Sequence, residues 1–145
     1  MTDDCIFCMI VKGEIPSYTL YEDEDVKVFL DINPISKGHS LLIPKKHYKT
    51  LFSVPENNMD FLKKLPMVAR KLKQATEAEG VNIVQSNERA AGQVVFHVHF
   101  HLIPRWSNDG IIKFPEQGKL EQKTAEEIIK KFKNKKVNME VKAQD

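Results

Sequence analysis

Three histidines fall within five residues, His97, His99 and His101, and this spacing constrains the fold more than any other feature of the chain. Hydrophobic residues separate the three. Because successive side chains of a β-strand point to opposite faces, the alternation predicts a strand over residues 94–103 with imidazoles on one face and core residues on the other. Imidazole titrates near neutrality, attacks as a nucleophile and binds metals. The pattern therefore indicates a functional site on a sheet.

Three interpretations of this stripe compete: a solvated polar face, one metal site that uses all three rings, and an extended site for an anionic substrate. Neighbours on one strand face are roughly 7 Å apart, so the outer rings are separated by roughly 13 Å. Zn–N bonds are only about 2.0–2.1 Å long. One metal could bind all three rings only if the strand were bent. We favour the substrate site, with one nucleophile flanked by proton-bearing neighbours.

The remaining periodicity predicts an α+β fold with a mainly antiparallel sheet. A short helical turn spans residues 6–12 and ends at Gly13, and further strands are expected at 19–22, 26–31, 40–43 and 82–86. Ser53-x-x-Glu56 resembles a capping box that opens one long helix, which ends at Gly80 and is kinked or divided at Pro66. A last helix is expected from about Thr124 to Lys135.

Charge and length favour a single cytoplasmic domain. The chain has 145 residues and a net charge of +2, which is too small to indicate nucleic acid as the main partner. Residues 119–142 hold eight Lys, but four Glu are mixed among them, as on a solvated helix face. No apolar run is long enough for a membrane span, and the acidic N-terminus does not resemble a secretory signal.

Both cysteines lie in one Cys-x-x-Cys motif, Cys5 and Cys8. Two cysteines make no disulfide framework, and a redox pair usually follows a strand in a βαβ unit, whereas only four residues precede Cys5. Half of a zinc site is the better interpretation, provided that two further ligands exist.

The chain resembles the histidine triad (HIT) family, and within it the Hint-like branch. The resemblance rests on His97-Val98-His99-Phe100-His101-Leu102-Ile103. It extends over residues 5–105 through Cys5-Ile6-Phe7-Cys8, Gly13-Glu14-Ile15-Pro16, Tyr21-Glu22-Asp23, Leu30-Asp31-Ile32-Asn33-Pro34, Gly38-His39, Ile43-Pro44-Lys45-Lys46-His47 and Ala91-Gly92-Gln93.

The resemblance implies a HIT-like fold: a five-stranded antiparallel sheet with one long helix and a C-terminal helix. We expect a HIT domain over 1–106 and an extension over 107–145 within the same folded unit. The resemblance also implies a homodimer with a ten-stranded sheet.

For the chemistry, the resemblance implies that His99 attacks the α-phosphate of a nucleotide and forms a nucleotidyl-histidine intermediate. The backbone carbonyl of His97 would accept a hydrogen bond from the N–H of the His99 ring. His101 and His39 would donate hydrogen bonds to phosphoryl oxygens or to the leaving group, because fixed donors stabilise developing charge.

The same resemblance assigns a nucleotide site. Asp31 would receive the ribose hydroxyls, and Phe7, Ile10, Phe29 and Ile32 would clamp the base. Gly92, Gln93 and Asn87 would lie beside the phosphate, with Ser86 as the alternative to Asn87. Val94 departs from the family, which often has Ser there, so one hydroxyl donor is missing.

Zinc is the one cofactor that the resemblance implies, bound by Cys5, Cys8, His47 and His97. Four protein ligands indicate a structural metal. No organic cofactor is expected.

The sequence thus predicts a nucleotide hydrolase that acts on nucleoside phosphoramidates of the AMP type or on similar P–N and P–O bonds, with no nucleic-acid or membrane partner. Three alternatives stay open: a dinucleoside polyphosphate hydrolase or nucleotidyltransferase, a non-catalytic purine-nucleotide-binding adaptor, and a catalytic zinc hydrolase that uses His97 and His99.

Overall fold

The computed structural model describes residues 2–135, which form an α+β fold on one five-stranded sheet. The strands are β1 (Thr19–Glu22), β2 (Val26–Leu30), β3 (Ser40–Pro44), β4 (Gly80–Val84) and β5 (Phe100–Arg105); the helices are α1 (Ile6–Lys12), α2 (Leu65–Thr76) and α3 (Gln122–Asn134). Every neighbouring pair in the order β1-β2-β3-β5-β4 is antiparallel. The predicted fold class is confirmed. The end of the lysine-rich segment, residues 136–145, lies outside the described residues.

The sheet has a hydrophobic core on each face, because its central strands alternate two sets of apolar side chains. Val26, Val28 and Leu42 pack with Val68 and Leu72 of α2 on one face. On the other face, Phe29, Leu41 and Ile43 pack with Phe7 and Ile10 of α1. The face that carries α1 also carries the histidine site described below.

The prediction of one long helix from Ser53 to Gly80 is wrong. Three short 3₁₀ turns, Leu51–Ser53, Glu56–Asn58 and Asp60–Lys64, precede α2. The Ser53 hydroxyl donates to the Thr50 carbonyl at 3.0 Å, so Ser53 does not cap a helix. Pro66 lies in the first turn of α2, where its missing N–H costs little. The helix ends at Glu77, which adopts a left-handed conformation at φ 56°.

The histidine strand is also shorter than expected, since β5 begins only at Phe100. The Val98 N–H donates to the Tyr48 carbonyl at 2.8 Å, and residues 95–97 form a bend. The prediction that His97, His99 and His101 share one strand face is therefore wrong: only His101 lies in β5. The bend lets the His97 ring turn away from the other two.

Strand β4 forms one edge of the sheet, and Ile83 and Val84 on it are 44% and 40% exposed. The predicted last helix is present as α3, with its apolar residues Ile128, Ile129 and Phe132 exposed. Within residues 2–135, no helix is both long enough and apolar enough to span a membrane.

Candidate functional site

The His97 ring lies against Cys5, Cys8 and His47, and we call these four residues the metal cluster. Cys5 caps the N-terminus of α1 and accepts the Cys8 N–H, so both thiols lie at the same end of the helix. His97 Nδ1 is 3.4 Å from Cys5 Sγ, 3.6 Å from Cys8 Sγ and 3.2 Å from His47 Nδ1. His47 Nδ1 is 3.4 Å from Cys8 Sγ.

The chemistry of this cluster fits a metal ion. His97 Nε2–H donates to the Pro44 carbonyl at 2.8 Å, so Nδ1 carries the lone pair that faces the thiols. Burial lowers the His97 pKa to about 4, which keeps the ring neutral at pH 7. Burial also raises the Cys5 pKa and so favours the neutral thiol. A divalent cation bound to the sulfur reverses this effect, because it stabilises the thiolate. All four donor atoms lie within 4.8 Å of one another, so the set could hold a metal.

The His99 ring is oriented by the backbone carbonyl of His97. The His99 Nδ1–H donates to the His97 carbonyl at 2.8 Å, which leaves Nε2 with a free lone pair. The ring is 8% exposed, and burial lowers its pKa, so it stays neutral near pH 7. The edge of the Phe7 ring packs on it with centroids 5.1 Å apart. A neutral, fixed imidazole with one free nitrogen is suited to nucleophilic attack.

His39 and His101 form a chain of hydrogen bonds that fixes both rings. The Ile35 N–H donates to His39 Nδ1 at 3.0 Å, so the proton of the neutral His39 ring is on Nε2. His39 Nε2–H then donates to His101 Nδ1 at 2.9 Å, which leaves His101 Nε2–H as a free donor. Burial lowers the pKa of both residues, that of His101 to about 4.

Asp31 approaches this pair, with its Oδ2 3.6 Å from His39 Nε2. The donor atoms of Asp31, His39 and His101 lie close enough together to hold a cation. However, a metal at His39 Nε2 would require a proton on Nδ1, where the Ile35 N–H already donates. His39 and His101 are therefore arranged as a hydrogen-bonded pair with the Asp31 carboxylate beside it, rather than as a metal site.

A cavity of about 480 Å³ opens beside His99 and His101. Several residues predicted to hold the nucleotide line it: Phe7, Ile10, Phe29, Asp31, Ile32 and Gly92. The structure thus brings the predicted nucleophile, one predicted donor and the predicted base clamp to one cavity. His39 does not line the cavity; it is 2% exposed and reaches it only through His101.

Asn87 and Gln93, predicted beside the phosphate, do not line this cavity. Asn87 Oδ1 accepts the Leu51 N–H at 2.8 Å, and its amide pairs with that of Gln85. Gln93 donates to the carbonyls of Lys49 and Val95 and accepts the Glu88 N–H. Both amides hold the loop before His97 in place, and their contact with phosphate stays a prediction. Ser86 is likewise absent from the cavity lining.

Sequence reasoning predicted the His97 carbonyl as the acceptor for His99 but missed two other backbone groups that fix histidine rings. The Ile35 N–H determines the tautomer of His39, and the Pro44 carbonyl determines that of His97. Because every residue has a backbone carbonyl and nearly every residue a backbone N–H, the amino-acid type gives no sign of these contacts. It also missed Ile6 and Val95 as cavity residues. The spacing of Ile6 beside the cysteines could have suggested its position, because α1 presents residues 6, 7 and 10 near one another.

Comparison with known proteins identifies relatives. The model of the HIT domain family matches residues 12–108. An uncharacterised HIT-like protein of Methanocaldococcus jannaschii is 46% identical over 131 residues, which cover 89% of this chain and 98% of the relative. An adenosine 5′-monophosphoramidase of Candida albicans is 42% identical over 144 residues, covering 87% and 92%.

Solved structures share the fold. The crystal structure of SMU.412c from Streptococcus mutans superimposes with a TM-score of 0.87 at 40% identity and covers 92% of this chain and 85% of its own. A Zn-bound histidine triad family protein from Mycobacterium smegmatis superimposes with a TM-score of 0.70 at 35% identity, covering 79% and 84%.

Proposed function

This chain belongs to the HIT family, and we propose that it is a nucleotide hydrolase that cleaves nucleoside phosphoramidates or related nucleotides at the α-phosphate and releases a nucleoside monophosphate. The hydrogen bond from His99 Nδ1–H to the His97 carbonyl carries the proposal, because it leaves Nε2 free beside the cavity. The adenosine 5′-monophosphoramidase of Candida albicans supports the choice of P–N substrates.

In the proposed reaction, His99 Nε2 attacks phosphorus and displaces the leaving group, and water then cleaves the nucleotidyl-histidine. His101 Nε2–H donates to the phosphoryl group or the leaving group, and His39 holds His101 in the required tautomer. A bound phosphoryl anion raises the pKa of His101 and favours its protonated form, which can supply a proton to an amine.

The nucleoside is proposed to occupy the side of the cavity that contains Asp31, whose carboxylate accepts the ribose hydroxyls. The base lies among Phe7, Ile10, Phe29 and Ile32. Because these side chains form no hydrogen bonds to base edges, we expect weak discrimination between purines. Gly92 offers its backbone to the phosphate, and Asn87 and Gln93 shape the loop that carries it.

We propose that the metal cluster binds a structural zinc ion through Cys5, Cys8, His47 and His97. Zinc accepts two thiolates and two imidazoles in a closed tetrahedron, and the Zn-bound protein from Mycobacterium smegmatis supports this choice. When bound, zinc would stabilise the fold around α1. A catalytic zinc on His97 and His99 receives no support, since His99 contributes to neither candidate metal group among the described residues.

We also propose a cytoplasmic homodimer. The unpaired edge of β4 and the exposed Ile83 and Val84 suit antiparallel pairing with a second copy, which would extend the sheet to ten strands. Analytical ultracentrifugation should give twice the mass of one chain, and a monomer at micromolar concentration would contradict this assembly. The reducing cytoplasm suits the two free thiols that the metal cluster requires.

The test is AMP release from adenosine 5′-phosphoramidate by the wild type and by His99→Ala. We expect turnover to fall by about 10⁴-fold or more, because the nucleophile is lost, while AMP still binds by calorimetry. Wild type denatured during turnover at alkaline pH, where a P–N bond to histidine is stable, should carry a nucleotidyl adduct on the peptide containing His99 by mass spectrometry. Near-normal turnover by His99→Ala would remove His99 from the mechanism. AMP binding without turnover of any nucleotide by the wild type would favour a binding protein.

A further inference from the structure

Val94 is the most exposed of the large hydrophobic side chains that line the cavity. It is 85% exposed and lines the cavity together with His99 and His101. Its neighbour Gln93 is 3% exposed and hydrogen-bonded on both sides, so the loop that carries Val94 is held in place. A fixed loop thus presents a branched hydrocarbon group at the mouth of the site.

Two further apolar residues, Ile6 and Val95, lie beside Val94, and we call the three the apolar rim. Ile6 is 46% exposed. All three rim residues also border a neighbouring cavity of about 280 Å³ that is lined by Cys5 and His47. Asp31 and Ile32 do not border that neighbour. The apolar rim therefore lies on the side of the main cavity that faces this neighbour. The nucleoside is proposed to lie on the other side, beside Asp31.

The charges of the cavity set a limit on the leaving group. Asp31 is the single carboxylate among the described lining residues, and none of them is Lys or Arg. The nearby Arg89 guanidinium lies over the Phe96 ring, 5.5 Å from its centroid. A polyphosphate leaving group carries several negative charges and is normally held by Arg or Lys. Among the described lining residues, only the imidazoles of His99 and His101 could interact favourably with the negative charges of a polyphosphate.

We propose that the apolar rim selects the leaving group, so that the preferred substrates are nucleoside phosphoramidates of apolar amines rather than polyphosphates. This inference rests on the proposed hydrolysis at the α-phosphate. Val94 is a specificity-determining residue, because an alkyl chain on the amine packs against Val94 and Ile6 and its hydrocarbon surface is removed from water. Apolar contact of this kind adds to the binding of the transition state in proportion to the hydrocarbon surface covered.

The reaction balances with the groups present. The P–N bond breaks as the bond between phosphorus and His99 Nε2 forms, and the amine leaves with the Nε2 proton of His101. His101 has by then taken up a solvent proton at Nδ1 on binding the phosphoryl anion, as the His39 Nε2–H turns from His101 Nδ1 to the neighbouring Asp31 carboxylate. Water then attacks phosphorus, the phosphorus–Nε2 bond breaks, and a proton of the water returns to His101. The alkyl chain takes no part in the bond changes, so its effect reports contact alone.

The experiment measures kcat/KM for the N-ethyl, N-butyl and N-hexyl amidates of AMP, whose amines differ in hydrocarbon surface but hardly in basicity. For the wild type, we expect kcat/KM to rise by about tenfold from the N-ethyl to the N-hexyl amidate. Val94→Ala should reduce the rise to about twofold. Val94→Thr, which keeps the shape and adds a hydroxyl, is the matched variant and should also reduce the ratio of kcat/KM for the N-hexyl amidate to that for the N-ethyl amidate, because less hydrocarbon surface faces the alkyl chain. Leu20→Ala, at an exposed leucine outside the cavity lining, is the control and should leave this ratio at about tenfold.

A flat series for the wild type, or an unchanged rise in Val94→Ala, would overturn this inference while the hydrolase proposal stands. Faster turnover of diadenosine tetraphosphate than of the N-hexyl amidate would also overturn it. If the wild type cleaves no amidate, the proposed function fails, and the inference fails with it. Far-UV circular dichroism and thermal unfolding that match the wild type confirm that the variants are folded.

Discussion

Single residues near the site hold unusual backbone conformations, and Glu88 is the clearest case. Its φ of 77° and ψ of 159° fall in a region that glycine occupies almost exclusively. The strain persists because Glu88 N–H is bonded to Gln93 Oε1, and the Glu88 carbonyl accepts the N–H groups of Ala91 and Gln93. The loop before His97 is therefore held at a cost in stability.

Glu88→Gly should stabilise the protein by about 1 kcal/mol, because glycine removes the steric strain at a smaller cost in chain entropy. Urea unfolding measures the difference in the free energy of unfolding. Glu88→Ala is the control, since it removes the carboxylate but keeps Cβ and should bring no such gain. Equal stabilisation by Ala and Gly would mean that charge, not backbone strain, is responsible.

At the scale of residues, most side chains of the cavity were predictable, whereas their orientations were not, apart from that of His99, which the resemblance supplied. The spacing of His97, His99 and His101 pointed to the site, and the resemblance supplied Asp31 and the base clamp. The tautomers depend on the Ile35 N–H and the Pro44 carbonyl, which reach the rings only through the tertiary fold. Asn87 and Gln93 were assigned from their position in the chain, but the direction of an amide depends on its neighbours.

Among the elements, α1 depends most on the metal cluster. It has seven residues, which is too short for an isolated helix to be stable, and both cluster thiols lie at its N-terminal end. The same cluster includes His97, next to the bend that precedes β5. By contrast, α2 is held by its own apolar face, through Val68 and Leu72.

Removing a bound metal with a chelator should therefore loosen α1 and residues 95–98 and leave α2 nearly unchanged. We expect amide hydrogen exchange in α1 to rise by at least about tenfold, because the loss of the ligand bonds leaves only the packing of Phe7 and Ile10. Cys8→Ser should give the same pattern without chelator. Unchanged protection of α1 in both cases would show that the cluster holds no structural metal.

Elements were predictable where a strong local signal fixes them, as Gly13 does at the end of α1. The region before α2 was not, because Thr50 rather than Ser53 supplies the capping oxygen and the chain forms 3₁₀ turns around Phe61 instead. The late start of the histidine strand at Phe100 was also not predictable, since the Val98 N–H bonds to the Tyr48 carbonyl outside the sheet.

For the molecule as a whole, burial of neutral imidazoles links stability to pH. The pKa of His97 and that of His101 are each lowered to about 4, against about 6.5 for an unfolded chain. Between these values the unfolded state binds more protons than the folded state. The free energy of unfolding is therefore constant above pH 6.5 as far as these groups are concerned, and it falls as the pH is lowered toward 4.

We expect chelator-treated protein to lose on the order of 3 kcal/mol between pH 6.5 and pH 4, measured by urea unfolding. His101→Gln, which cannot take up a proton, should lose less over the same interval. A fall of the same size in the variant would show that His101 contributes nothing to it. Stability that rises on acidification would contradict the neutral state of both rings.

The two roles of position 97 reside in different parts of the residue. Its side chain belongs to the metal cluster, whereas the oxygen that orients His99 belongs to the main chain. Every amino acid carries that oxygen, so a mutation that erases the metal ligand cannot erase the acceptor as long as the bend survives. Substitution of the residues proposed to bind the metal would therefore leave the orientation of the proposed nucleophile unchanged, so the two proposed functions of this region can evolve separately.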